Sequence, residues 1–179
     1  MSLKVSVYVA TSLDGFIARK NGEIDWLTGG ESSQDYGYAE FISSIDLIVM
    51  GRNTYEKVLT FGPWPYDKKV IVLTGRDLAI PPELANRVEF LSLSPRALTD
   101  ELQRRGLSHV YLDGGNTIQR FLREHQVDEM TITTLPILLG EGLPLFGPLD
   151  NDIKLELIES ISFENGFVQS KYKVLQVRT

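Results

Sequence analysis

Three stretches of this 179-residue chain carry the residue types that hold phosphate groups. Gly51-Arg52-Asn53-Thr54 follows the apolar run Leu47–Met50, Thr74-Gly75-Arg76 follows Lys69–Leu73, and Asp113-Gly114-Gly115-Asn116-Thr117 follows Val110–Leu112. Each sets glycine, which lets a backbone approach a ligand closely, beside hydroxyl or guanidinium donors. In the third, Val110-Tyr111-Leu112 is β-prone, the glycine pair breaks it, and Ile118, Phe121 and Leu122 recur at helical spacing. The stretch reads as strand, turn and helix. A helix that starts on such a turn offers unpaired N–H groups to an anion such as a pyrophosphate. Taken singly, each corner is equally a tight connection and each arginine a solvated surface charge. In an open parallel sheet, however, the carboxyl ends of the strands share one ligand-binding edge. The three corners are therefore expected to converge, with Arg52 and Arg76 as cations and Thr54, Thr74 and Thr117 as hydroxyl donors.

Other chemistries are poorly supplied. The absence of cysteine excludes disulfides, thiolate metal sites and a cysteine nucleophile. The only histidines, His109 and His125, sit beside expected element boundaries and read as surface residues, so no metal site is expected. A net charge of -6 argues against a nucleic-acid-coating surface. No apolar run reaches the length of a membrane span, and the N-terminus lacks the basic segment and apolar run of a secretory signal. A cytoplasmic protein is expected.

The elements that must position the corners follow from the apolar periodicity. Lys4–Ala10 reads as a buried strand, with Phe16-Ile17-Ala18 as a short return after the turn at Asp14-Gly15. The polar, glycine-rich stretch 19–32 holds Trp26, which reads as a loop anchor and marks a functional loop. Gln34–Ser44 reads as a helix with Ser32 or Ser33 as cap, and a second helix starts at the Gly51 corner and runs through Leu59. Val88–Phe90 is a short strand, and Pro95–Arg105 a helix capped by Ser94. From Met130 the pattern becomes strand-rich. Ile153–Ile161 and Phe167–Val177 form a hairpin across Glu164-Asn165-Gly166. The expectation is a single α/β domain, residues 1–179, with a mostly parallel sheet of about eight strands, helices on both faces and an antiparallel C-terminal hairpin. No internal repeat stands out.

Four motifs in order carry a resemblance: Ser12-Leu13-Asp14-Gly15-Phe16-Ile17-Ala18, Met50-Gly51-Arg52-Asn53-Thr54-Tyr55-Glu56, Asp113-Gly114-Gly115-Asn116-Thr117, and Pro136-Ile137-Leu138-Leu139-Gly140-Glu141-Gly142. The chain resembles the dihydrofolate reductase fold. Within it, the chain is similar to the branch that includes the reductase domain of bifunctional riboflavin-biosynthesis enzymes. The resemblance implies an NADPH-dependent reductase. Gly51, Arg52 and Thr54 would receive cofactor phosphates, with Arg52 near the adenosine 2′-phosphate. Thr74 and Arg76 would line the adenosine end. Gly114, Gly115, Asn116 and Thr117 would take the pyrophosphate, through the cis Gly–Gly bond this fold is known for. Ala10 and Ile17 would offer backbone groups to the nicotinamide carboxamide. The resemblance also points to a homodimer, as do the long C-terminal strands and the apolar Pro136–Phe146 extension.

Hydride transfer needs orientation, exclusion of water and an acid near the acceptor. Asp35, fifteen residues before Met50 on the first turn of the expected helix, is one candidate, because dihydrofolate reductases carry their pterin-binding acid in a similar place. It is equally a carboxylate favoured by the helix N-terminus. Asp113 is the other, standing where the riboflavin-pathway reductases carry a glutamate. Asp14 is expected to shape its turn. Tyr8, where those enzymes typically have lysine, and Tyr55-Glu56-Lys57, in place of their Asp-Asp-Pro loop, depart from the pattern and bear on the substrate. The implied substrate is a pyrimidine or pterin-like heterocycle, most like that of 5-amino-6-(5-phosphoribosylamino)uracil reductase. A dihydrofolate reductase and a non-catalytic nucleotide-binding dimer are the alternatives.

Overall fold

The computed structural model describes residues 2–28 and 34–175. Its elements run β1 (Lys4–Ser12), β2 (Phe16–Ala18), α1 (Tyr38–Ser43), β3 (Leu47–Gly51), α2 (Arg52–Leu59), β4 (Lys69–Leu73), β5 (Val88–Leu91), α3 (Pro95–Arg104), β6 (His109–Asp113), α4 (Gly115–Arg123), β7 (Glu129–Leu135), β8 (Leu143–Pro144), β9 (Lys154–Ser162) and β10 (Val168–Leu175). Eight strands form one sheet in the order β5-β4-β3-β6-β1-β7-β10-β9. The first six are parallel, and β10 and β9 close one end antiparallel. This is the mostly parallel α/β sheet with an antiparallel hairpin that the periodicity predicts. The short pair β2–β8 lies outside it.

Alternate residues of the central strands feed two cores. Val5, Val7, Val49, Val110 and Leu112 face α3 and α4, packing with Leu98, Leu102, Ile118 and Phe121. Ile48, Met50, Val70, Val72 and Tyr111 face the other way and pack with Tyr55 of α2 and with Tyr38, Phe41 and Ile42 of α1. Helices therefore cover both faces, as near-continuous apolar strands require. Ser94 caps α3 as expected, accepting from the Ala97 N–H at 3.2 Å.

Two local expectations change. The helix expected over Gln34–Ser44 starts only at Tyr38, because Tyr36 (φ 53) and Gly37 (φ 83) are left-handed and cannot lie inside a helix. Its proposed caps, Ser32 and Ser33, lie outside the described residues, as does Val177 at the end of the last strand. His109 is not a surface residue. It is half-buried at the amino edge of the sheet, and its ring bridges Ser6 Oγ (2.8 Å) and Ser44 Oγ (3.2 Å). Burial lowers its pKa, an effect reinforced by nearby Lys4. Trp26 is buried and anchors its loop. Among the described residues no helix is long and apolar enough to cross a membrane.

Candidate active site

β3 and β6 are neighbours in register, with Leu47 opposite Val110 and Met50 opposite Asp113. One residue further along, each chain reaches a glycine and enters a helix. α2 sends Tyr55 into one core, while α4 sends Ile118 and Phe121 into the core on the opposite face. Neighbouring strands whose helices depart to opposite faces open a crevice at their carboxyl ends.

The two corners interlock. A Cβ on Gly51 would stand 2.6 Å from Thr117 Oγ1, and one on Gly114 would press closer still on Thr54 Oγ1. Each glycine is thus dictated by a threonine in the first turn of the opposite helix. Gly114 is constrained twice, because its φ of +93° is also unfavourable for any side chain. Neither helix receives a side-chain cap at its N-terminus from the described residues, so both first turns keep unpaired N–H groups. Among the described residues no peptide bond is cis, including the one joining Gly114 and Gly115.

A groove of about 990 Å³ runs past both first turns. Ala10, Ile17, Gly51, Arg52, Thr54, Asp113, Gly114, Gly115, Asn116 and Thr117 all line it. Lys20, Lys57 and Arg120 also line it, so with Arg52 four basic side chains face two acidic ones, Glu56 and Asp113. Arg52 is held only loosely by Glu56, at 3.8 Å. The β2–β8 pair lies over the Gly115 turn, where an added Cβ would meet Ile17 Cδ1 at 2.9 Å and the Pro144 carbonyl at 3.0 Å. Gln119 of α4 holds that pair by donating to the Pro144 and Leu145 carbonyls. Asp14, as expected, is a turn residue. Its carboxylate accepts from Ser12 Oγ and from the N–H groups of Leu139 and Gly140, tying two motif segments together.

The third corner does not join the groove lining. The Thr74 hydroxyl accepts the Arg76 N–H at 3.1 Å, so this turn closes on itself. Its strand is one place further from the β3–β6 crevice, and neither Thr74 nor Arg76 is among the groove residues, although Leu73 is. The convergence built from the sequence thus involves two corners rather than three. Thr117, expected as a hydroxyl donor to a ligand, is buried and spends its hydroxyl side against Gly51.

The two candidate acids differ in kind. Asp113 ends β6 in the groove wall, and its Oδ1 accepts the Gly114 N–H at 2.8 Å. Burial pushes its pKa up, opposed by hydrogen bonds from that N–H and from Tyr66. A carboxyl held this way keeps a proton to higher pH than a free one, as a proton donor must. Asp35 is not on a helical turn. It precedes the Tyr36–Gly37 reversal, and its two oxygens accept the N–H groups of Gly37 (3.0 Å) and Ala39 (2.9 Å). Those bonds lower its pKa and hold it anionic.

Asp35 lines a second, smaller cavity of about 250 Å³ with Tyr36, Tyr38, Thr133, Leu135 and Phe167. Tyr8, Val9, Ala10 and Leu27 form its common wall with the groove. The Tyr8 hydroxyl bonds to the Tyr36 carbonyl, and Gln169 Nε2 donates to Tyr8 Oη, the Tyr36 carbonyl and Thr133 Oγ1. Sequence reasoning missed this cavity, because its walls come from five separate segments. It also missed the repetition of Gly-x-Asn-Thr at positions 51–54 and 114–117, a local duplication that pairs the two corners by residue pattern alone.

Comparison with known proteins agrees with this layout. The family profile of the RibD C-terminal domain matches residues 3–169. "Uncharacterized protein YwjB" of Bacillus subtilis is 39% identical over 160 residues, spanning 88% of this chain and 90% of that one. A solved structure described as "Putative riboflavin biosynthesis protein" from Shewanella sp. PV-4 superimposes with a TM-score of 0.92 at 38% identity, covering 97% of this chain and 100% of that one. Riboflavin biosynthesis protein RibD of Corynebacterium ammoniagenes is 27% identical over 164 residues; the match takes in 84% of this chain but 48% of that protein.

Proposed function

Because the chain belongs to the RibD C-terminal domain family, we propose that it is an NADPH-dependent reductase that passes a hydride to a pyrimidine or pterin-like heterocycle. The observation that carries this reading is the interlocked pair of glycine corners, which sets two uncapped helix N-termini side by side at one crevice. Two adjacent N-termini suit two linked phosphates, and the cradle is one that a single Cβ would fill. NADPH fits these residues. Gly114, Gly115, Asn116 and Thr117 would hold one phosphate of its diphosphate, and Gly51, Arg52 and Thr54 the other. The Arg52 guanidinium, loosely paired, would be free to turn to the 2′-phosphate. Ala10 and Ile17 border the groove where the nicotinamide would reach the smaller cavity.

Bound there, the cofactor supplies a hydride. The protein's own part is orientation and proton supply. Tyr8, Val9 and Ala10 line both the groove and the cavity, so the same strand would orient a nicotinamide in the one and an acceptor in the other. Asp113, with its raised pKa and Tyr66 beside it, is the group suited to protonate the acceptor. Asp35 remains an anion and binds rather than donates. The test is loss of reduced-nicotinamide absorbance with an aminopyrimidine and, separately, with dihydrofolate. Turnover of the first alone supports this reading. Turnover of dihydrofolate alone favours a dihydrofolate reductase, and NADPH binding without turnover of either favours the non-catalytic alternative.

The reading includes a homodimer. All nine residues of β9 are exposed, and among the described residues its outer edge is unpaired in the sheet order. Leu155, Leu157, Ile158 and Ile161 are 40–56% exposed. Lys154 near the start of the strand has the opposite sign to Glu159 near its end, so a second copy in antiparallel orientation would set each lysine against a glutamate. Leu157→Glu is expected to convert the dimer to monomer in sizing chromatography with light scattering. A monomeric wild-type chain would refute this part.

A further inference from the structure

The small cavity differs from the groove in charge, walls and size, and these differences bear on which heterocycle it admits. Tyr8, Tyr36, Tyr38 and Phe167 give it flat aromatic walls. Tyr36 is stacked on Phe167, with centroids 5.3 Å apart, and its hydroxyl accepts from Asn165, so the tip of the β9–β10 hairpin fixes one wall. Among the described residues Asp35 is the only charged one in the lining, and no Lys, Arg or His faces it there.

A phosphate dianion entering this cavity would shed water without meeting a cation and would face a carboxylate. Each of these costs binding energy. A ring bearing amino or ring N–H groups does the reverse. Each Asp35 oxygen accepts one backbone N–H and keeps a further lone pair for a charge-assisted bond to such a donor. Size points the same way. At about 250 Å³ the cavity lies below the roughly 300–1,000 Å³ of ordinary ligand sites, so what it encloses is a ring system.

Resting on the reductase reading above, we propose that the acceptor pocket is selective for an unphosphorylated, planar nitrogen heterocycle bearing hydrogen-bond donors, and that Asp35, with no cation beside it among the described lining residues, sets this selectivity. The chain would then act on the dephosphorylated form of an aminopyrimidine rather than on its phosphoribosyl form. A reaction that removes the phosphate would have to precede it.

The test compares 5-amino-6-ribosylaminouracil with and without its 5′-phosphate by calorimetric titration of the full chain, after NADPH binding has been measured separately. The dephosphorylated compound is expected to bind about tenfold tighter or more, the scale set by relief from one like-charge repulsion and from burying an unpaired phosphate. Asp35→Asn should remove about tenfold of that affinity and leave NADPH affinity unchanged. Because Asp35 also bonds the start of α1, Leu27→Lys is a second, independent variant. A cation on the shared wall should narrow the discrimination by improving the phosphorylated compound. Equal or tighter binding of the phosphorylated compound by wild type, binding of neither compound, or no effect of either variant overturns the proposal. Failure of NADPH to bind while the dephosphorylated compound binds would overturn the reductase reading and leave the pocket assignment standing.

Discussion

The groove and the small cavity share one wall but are made differently. The groove is organised around two glycine turns and two helix N-termini set by adjacent strands in register, with basic side chains along its walls. The cavity is built from side chains drawn from β1, the Leu27 loop, the Asp35–Tyr38 reversal, β7 and Phe167 just before β10. On the proposed reading the groove would hold the phosphorylated carrier and the cavity the acceptor. The contrast would then separate how the chemistry is powered from what it acts on.

The largest test of the backbone half is steric. Gly114→Ala should cost about 3 kcal/mol in stability, from overpacking against Thr54 together with strain at positive φ. Gly51→Ala meets only the Thr117 hydroxyl, so about 2 kcal/mol is expected. Denaturant unfolding distinguishes the two causes. Thr117→Ala should recover most of the Gly51→Ala loss, whereas Thr54→Ala should recover only part of the Gly114→Ala loss, because the strained φ remains. Equal rescue at both corners would show that positive φ is not costly at Gly114.

Asp113, at the end of β6 in the groove wall, offers the next test. Asp113→Asn should reduce turnover by about 10²-fold or more, the scale of a lost general acid. It should also change how stability depends on pH. A carboxyl whose folded pKa lies above its unfolded value weakens the fold as pH rises from the ordinary carboxylate range through the raised value. The asparagine variant should therefore gain stability relative to wild type across that window and match it at lower pH. Thermal melts over a pH series check this. A variant less stable at neutral pH and equally active would remove Asp113 from the mechanism.

The smallest expected effects separate two arginines. Arg52→Ala should weaken NADPH about tenfold more than NADH, because Arg52 lines the groove beside the Gly51 turn. Arg76→Ala, whose turn closes on itself outside the groove lining, should change either affinity by less than about threefold. Equal losses for both cofactors in Arg52→Ala would show that this side chain does not read the 2′-phosphate.

What the sequence made legible follows the same division. Strands β3, β4 and β6 and the glycine corners are local patterns, and periodicity plus glycine placement located them within a residue or two. Two features escaped for physical reasons. The start of α1 was displaced because the left-handed pair Tyr36–Gly37 breaks a stretch whose apolar spacing is helical throughout. The Thr74 corner does not join the groove lining, and the Thr74 hydroxyl turns back onto the Arg76 backbone. The small cavity was invisible for a third reason. Tyr8, Asp35, Thr133 and Phe167 meet only through the sheet order, and no spacing along the chain encodes that meeting.

The central claim is that the first turns of α2 and α4 hold a single ligand together. Backbone amide NMR during titration with NADPH tests it most directly. The amides of Arg52–Thr54 and Gly115–Thr117 should shift together with one saturation curve, while those of Thr74–Arg76 move less. A shift confined to one helix, separate saturation curves for the two, or no shift at either would contradict it.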